Sequence, residues 1–92
     1  MTLTNTCLRT ERPHFDGVQR LYDLPNGYGL SLVNASMLHA YAFAWEAAVI
    51  APSGHLSYDT PLTEDVEVFD TDEAANEFIQ RAIDWASANL EG

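Results

Sequence analysis

Apolar and polar positions along the chain follow two rhythms. One has a period of two residues in the first two thirds, and the other has three- and four-residue steps at the C-terminal end. Leu21-Tyr22-Asp23-Leu24 and Tyr28-Gly29-Leu30-Ser31-Leu32-Val33 flank Pro25-Asn26-Gly27. Asn-Gly tolerates the positive φ of a tight turn, so this segment predicts a β-hairpin. Side chains alternate along a strand, which puts Leu30, Leu32 and Tyr28 on one face and Gly29, Ser31 and Val33 on the other. Near the C-terminus Ala75, Phe78, Ile79, Ala82, Ile83, Ala86 and Leu90 form the stripe of an amphipathic helix that covers one face of the sheet. Asp70 or Thr71 caps it, with Asp72 and Glu73 in the first turn against the positive end of the dipole.

The middle of the chain carries both rhythms. Leu38, Tyr41, Ala42, Trp45, Ala48 and Val49 fit a helical stripe, while Phe43, Trp45, Ala47 and Val49 fit strand alternation. Seven alanines between residues 35 and 51 favour helix. The turn Pro52-Ser53-Gly54 followed by His55-Leu56-Ser57-Tyr58 favours a second hairpin, residues 44–50 against 55–58. The reading is a strand from Phe43, preceded by a loop over residues 35–42. Pro61 ends the following segment, and residues 66–69 read as a further short edge strand. Residues 1–14 show no period and contain Pro13, so they read as a loose N-terminal arm. The expected fold is one α+β domain over residues 15–92, a three- to four-stranded antiparallel meander with one C-terminal helix packed on it.

Charge adds the next constraint. Fourteen Asp and Glu stand against four arginines and no lysine among 92 residues, a formal net charge of -10. From residue 59 onward ten carboxylates face Arg81 alone, a local charge of -9, whereas residues 1–20 sum to +1. Such a surface repels nucleic acid and anionic lipid, so direct binding to either is disfavoured. The longest apolar run, residues 40–50, is broken by Glu46 and falls short of the roughly 20 residues a membrane span needs. The single cysteine, Cys7, has no partner for an internal disulfide, and the first residues lack the basic and apolar regions of a signal peptide, which points to the cytoplasm.

The hairpin 24–33, the run Trp45-Glu46-Ala47-Ala48-Val49-Ile50 and the segment Leu56-Ser57-Tyr58-Asp59-Thr60-Pro61-Leu62-Thr63-Glu64-Asp65-Val66 carry a likeness. Together they resemble a set of small acidic proteins encoded by bacteriophages and prophages, with an NGYG-x-S-V hairpin and a YDTP-x-T-x-DV segment. The likeness covers about residues 21–66, and its motifs are turn residues and strand cores. It implies a phage or prophage setting in the bacterial host cytoplasm and assigns no catalytic residue. By analogy it points to blockade of host machinery, as anti-CRISPR proteins do.

Chemistry-bearing groups do not converge in the sequence. His14, His39, His55 and Cys7 lack the spacing of a zinc site. Asp70-Thr71-Asp72 opens like a calcium loop but has Ala75 and Arg81 where that loop needs Gly and Glu. No metal, cofactor or catalytic site is expected, and the chain reads as a non-enzymatic binding protein. Its candidate partner-binding residues are Asp59, Glu64, Asp65, Glu67, Asp70, Asp72, Glu73 and Glu77, a carboxylate surface that occupies a basic, nucleic-acid-binding site in the manner of a DNA mimic. Tyr41 and Trp85 are added as half-exposed aromatic anchors. One alternative is an interaction or homodimerisation module whose acidity serves only solubility. Another is a small enzyme or accessory factor.

Overall fold

The structure is a computed structural model that describes residues 3–34, 45–57, 60–62 and 67–90. Six strands and one helix follow in the order β1 (Leu8–His14), β2 (Gly17–Asp23), β3 (Gly29–Asn34), β4 (Trp45–Ile50), β5 (Leu56–Ser57), β6 (Glu67–Phe69) and α1 (Asp72–Ala88). The strands form one antiparallel sheet, an α+β architecture with two more strands than the upper expectation. The difference comes from both margins. Residues read as a loose arm include β1, which pairs with β2 from Thr10↔Leu21 to His14↔Gly17, and Leu3, which is buried in the core. Their alternation is hidden because Arg9 to Pro13 are all exposed on an edge strand, where Pro is tolerated. At the other margin the outer edge of β4 is shared. β5 pairs with Val49 and Ile50, and β6 pairs with Trp45, Glu46 and Ala47.

The β2–β3 hairpin forms as its turn residues require. Gly27 holds a φ of 89°, the Gly27 amide donates to the Leu24 carbonyl, and the Asn26 side chain accepts from the Tyr28 amide. Gly29 has a different need, since a Cβ there would lie 2.9 Å from the Tyr22 carbonyl oxygen. Leu30 and Leu32 are fully buried and Ser31 and Val33 half-buried, as alternation dictates. The second hairpin joins Val49↔Ser57 and Ile50↔Leu56, and β4 continues as strand back to Trp45. The expected loop over 35–42 and the strand start at Phe43 lie outside the described residues.

Helix α1 begins at Thr71, whose hydroxyl accepts from the Ala74 amide, and presents Ala75, Phe78, Ile79, Ala82 and Ala86 to the sheet. These meet Tyr22, Leu30, Leu32, Trp45, Ala47 and Val49 in one core. Phe69 and Phe78 lie with ring centroids 5.3 Å apart, which ties β6 to the helix. Ile83 is half-buried at the rim, and Leu90, past the Asn89 cap, is exposed rather than part of the stripe. Burial of side chains the size of Phe78 or Ile79 contributes roughly 1.5–3 kcal/mol each, so this helix is held by packing.

Candidate functional site

The helix that covers the sheet also turns a charged side outward. Glu73, Glu77, Gln80, Arg81 and Asp84 are exposed along it. At 3.6 residues per turn, Glu73, Glu77 and Asp84 fall within an arc of about 40° and span about 16 Å of helix. The Asp84 carboxylate accepts from the Gln80 amide at 2.9 Å. Arg81 stacks over the Phe78 ring, 5.5 Å from its centroid. Among the described residues no arginine reaches ion-pairing distance of these carboxylates. Asp70, two residues before the helix, is also exposed. No basic residue sits in the last turn, so nothing cationic offsets the negative end of the dipole.

The residues singled out from sequence divide accordingly. Asp70, Glu73 and Glu77 are all exposed, Asp70 just before the helix and the other two on its solvent side. Glu67 lies in β6, half-buried, opposite the core residue Ala47. Asp72 is half-buried, and its Oδ1 accepts from the Trp45 indole N–H at 2.7 Å, so it joins the helix start to β4. Trp85 is half-buried and meets Tyr28 edge-on at 5.1 Å, which fastens the β2–β3 turn to the end of the helix. Asp59, Glu64, Asp65 and Tyr41 lie outside the described residues. Asp84 was missed, although it falls seven residues after Glu77, two helical turns along the same side.

The cations cluster elsewhere. Arg9, Arg12 and Arg20, three of the four in the chain, sit on the β1–β2 hairpin. Arg20 is buried: Nη1 donates to the Leu3 carbonyl at 3.4 Å, Nη2 donates to the Asn5 side chain, and the guanidinium lies 5.8 Å from the Tyr22 ring centroid. The Tyr22 hydroxyl donates to the Thr4 carbonyl at 2.8 Å. Burial pushes the Tyr22 phenol above its usual range, against the opposing pull of Arg20 and with a smaller push from Glu11. The Thr4 amide in turn donates to Asn76 of α1. Residues 3–7 are thus bonded to both layers.

Arg9 and Arg12 border a groove of about 430 Å³ on the sheet face away from the helix, with Leu21, Gly29, Ser31, Ile50 and Leu56 among its lining. Among the described residues no group of three or more His, Cys, Asp or Glu side chains is placed to hold a metal ion, and no helix is long and apolar enough to cross a membrane. Comparison with protein-family models, with curated proteins and with solved structures finds no match to this chain.

Proposed function

We propose that this chain is a non-enzymatic binding protein that offers the solvent side of α1 as an acidic surface to a basic protein surface. One observation carries the reading: Glu73, Glu77 and Asp84 line one exposed side of a rigid helix, with exposed Asp70 just before it and Arg81 the one described cation beside them, outside ion-pairing distance. A row of fixed charges on a packed element raises the encounter rate with a cationic groove and aligns the two surfaces. The phage likeness of residues 21–66 supports a nucleic-acid-binding complex of a bacterial defence system as the partner class, with the helix in competition with nucleic acid. Such binding weakens with salt, because exposed charges are screened beyond about 8–10 Å at physiological ionic strength.

The test is capture of proteins from a bacterial lysate on the immobilised chain, followed by elution with duplex DNA. The same capture is run with D70N/E73Q/E77Q/D84N, which leaves the apolar stripe untouched. Proteins held by the original chain, released by DNA and lost from the neutralised variant support the reading. An identical captured set on both proteins overturns it. A second reading, in which contact is made by an apolar surface, is favoured by the exposure of Leu56 and Val68 on the opposite side of the molecule.

A further inference from the structure

Among the described residues the sheet has one helix, on one face only. The other face is built from cross-strand rows that can be followed residue by residue. The first row runs Arg12, Gln19, Val33, Glu46, Val68 across β1, β2, β3, β4 and β6. The second runs Thr10, Leu21, Ser31, Ala48, and the third runs Asp23, Gly29, Ile50, Leu56. Gln19 links the first two rows, accepting from the Arg12 Nε at 2.7 Å and donating to the Ser31 hydroxyl at 2.8 Å. Val68 and Leu56, at the β4 margin, are 55% and 50% exposed, two apolar side chains on the same outer edge of this face.

The charges on this face are arranged head to tail. The first row begins with a cation, Arg12, and has an anion, Glu46, one strand from its far end. A two-fold axis along β3, the central strand, reverses each row against itself. Arg12 then comes over Val68 and beside Glu46 of a second copy, Gln19 meets Glu46, and Val33 meets Val33. The residues nearest the axis are Gly29, Ser31 and Val33, small enough for two sheets to approach at the spacing of about 10 Å that stacked sheets adopt. In the third row Ile50 of the second copy comes over Asp23, and Leu56 falls one strand beyond it, at the β1 margin. The exposed carboxylates Glu73, Glu77 and Asp84 of α1 stay on the two outer layers, away from the contact.

We propose that this open face is the interface of a symmetric dimer, two copies stacked sheet on sheet with their helices outermost and Arg12 of each paired with Glu46 of the other. The face spans five strand positions about 4.8 Å apart and six residues at about 3.3 Å, roughly 24 by 20 Å. That is the small end of specific interfaces, so the dimer dissociates in the micromolar range rather than being obligate. The proposal is independent of the acidic-surface reading, because the two surfaces lie on opposite sides of the molecule.

Sedimentation equilibrium over micromolar to millimolar concentration tests it. The original chain is expected to convert from monomer to dimer. R12E and E46R are each expected to weaken the dimer at least about tenfold, and V68D to abolish it at micromolar concentration. The swap R12E/E46R, which keeps the net charge at -10, is expected to restore association to within about threefold of the original. Of the three side chains changed, Arg12 and Val68 are exposed and Glu46 is half-buried, and matching thermal unfolding confirms that the variants fold. A monomer throughout, single variants that dimerise like the original, or a swap no better than the single changes would each overturn the proposal. The D70N/E73Q/E77Q/D84N variant separates the two readings: it dimerises undiminished here whether or not it loses the captured partner.

Discussion

Phe15 is an aromatic ring 65% exposed at the tip of the β1–β2 hairpin and held at a φ of 54°, where a bulky side chain crowds its own backbone. Its compensation is an edge contact with His14 at 4.6 Å, itself near the surface. Phe15→Gly is therefore expected to stabilise the fold by about 0.5–1 kcal/mol, read as a higher urea midpoint at unchanged slope. An unchanged or lower midpoint would show that the ring does something the turn needs. Tyr22 makes a different prediction. Its phenol titrates higher folded than unfolded, so its contribution is complete below about pH 10 and is lost as pH rises from there through the folded value. Tyr22→Phe, which removes the bond to the Thr4 carbonyl, is expected to cost about 1 kcal/mol at neutral pH and to flatten the decline of the urea midpoint above pH 10. An equally steep alkaline decline in the variant would assign it to other groups. Asp16-Gly17 marked a turn beside Phe15, but neither the strain at Phe15 nor the burial of Tyr22 could be read before the strand register placed them.

Among the elements, α1 was the most legible, because a repeat of seven apolar positions and a capping residue before two acids admit little else. Ile79 is fully buried against the sheet, so Ile79→Asp, which forces an unpaired carboxylate into the core, is expected to abolish cooperative thermal unfolding. Thr71→Ala is the mild counterpart. Loss of the bond to the Ala74 amide is expected to cost about 1 kcal/mol without altering the far-ultraviolet spectrum. The β2–β3 hairpin was legible for a local reason, Asn26-Gly27 between alternating strands. What could not be read were pairings whose partner is distant in sequence. β1 has no buried side to alternate with over Arg9 to Pro13, and the role of Asp72 depends on Trp45, 27 residues away. The candidate surface was half legible for the same reason: helical spacing unites Glu73, Glu77 and Asp84, but only the sheet register places Arg12 and Glu46 in one row.

For the whole molecule the decisive feature is polarity, with three cations on the β1–β2 hairpin and the carboxylates of α1 on the opposite layer. Exposed like charges in a row destabilise the compact state more than ion pairs such as Arg9–Asp23 at 3.7 Å and Arg20–Glu11 at 4.0 Å can offset. Sodium chloride raised from low to physiological concentration is accordingly expected to raise the midpoint of thermal unfolding, and by less for D70N/E73Q/E77Q/D84N, whose net charge is -6 (-10 with four carboxylates neutralised). A midpoint that falls with salt would show that attraction outweighs repulsion.

The sharing of the outer edge of β4 by two short strands has a kinetic consequence. Strands β1, β2, β3 and β5 pair only with their chain neighbours, whereas β6 returns past β5 to reach Trp45, Glu46 and Ala47 of β4. Local hairpins close early at small entropic cost, so the rate-limiting nucleus is expected to lie in the β2–β3 hairpin, with β6 zipping on after the barrier. Gly27→Ala, strained at a φ of 89°, is then expected to slow refolding, while Val68→Ala leaves refolding alone and speeds unfolding in stopped-flow chevrons.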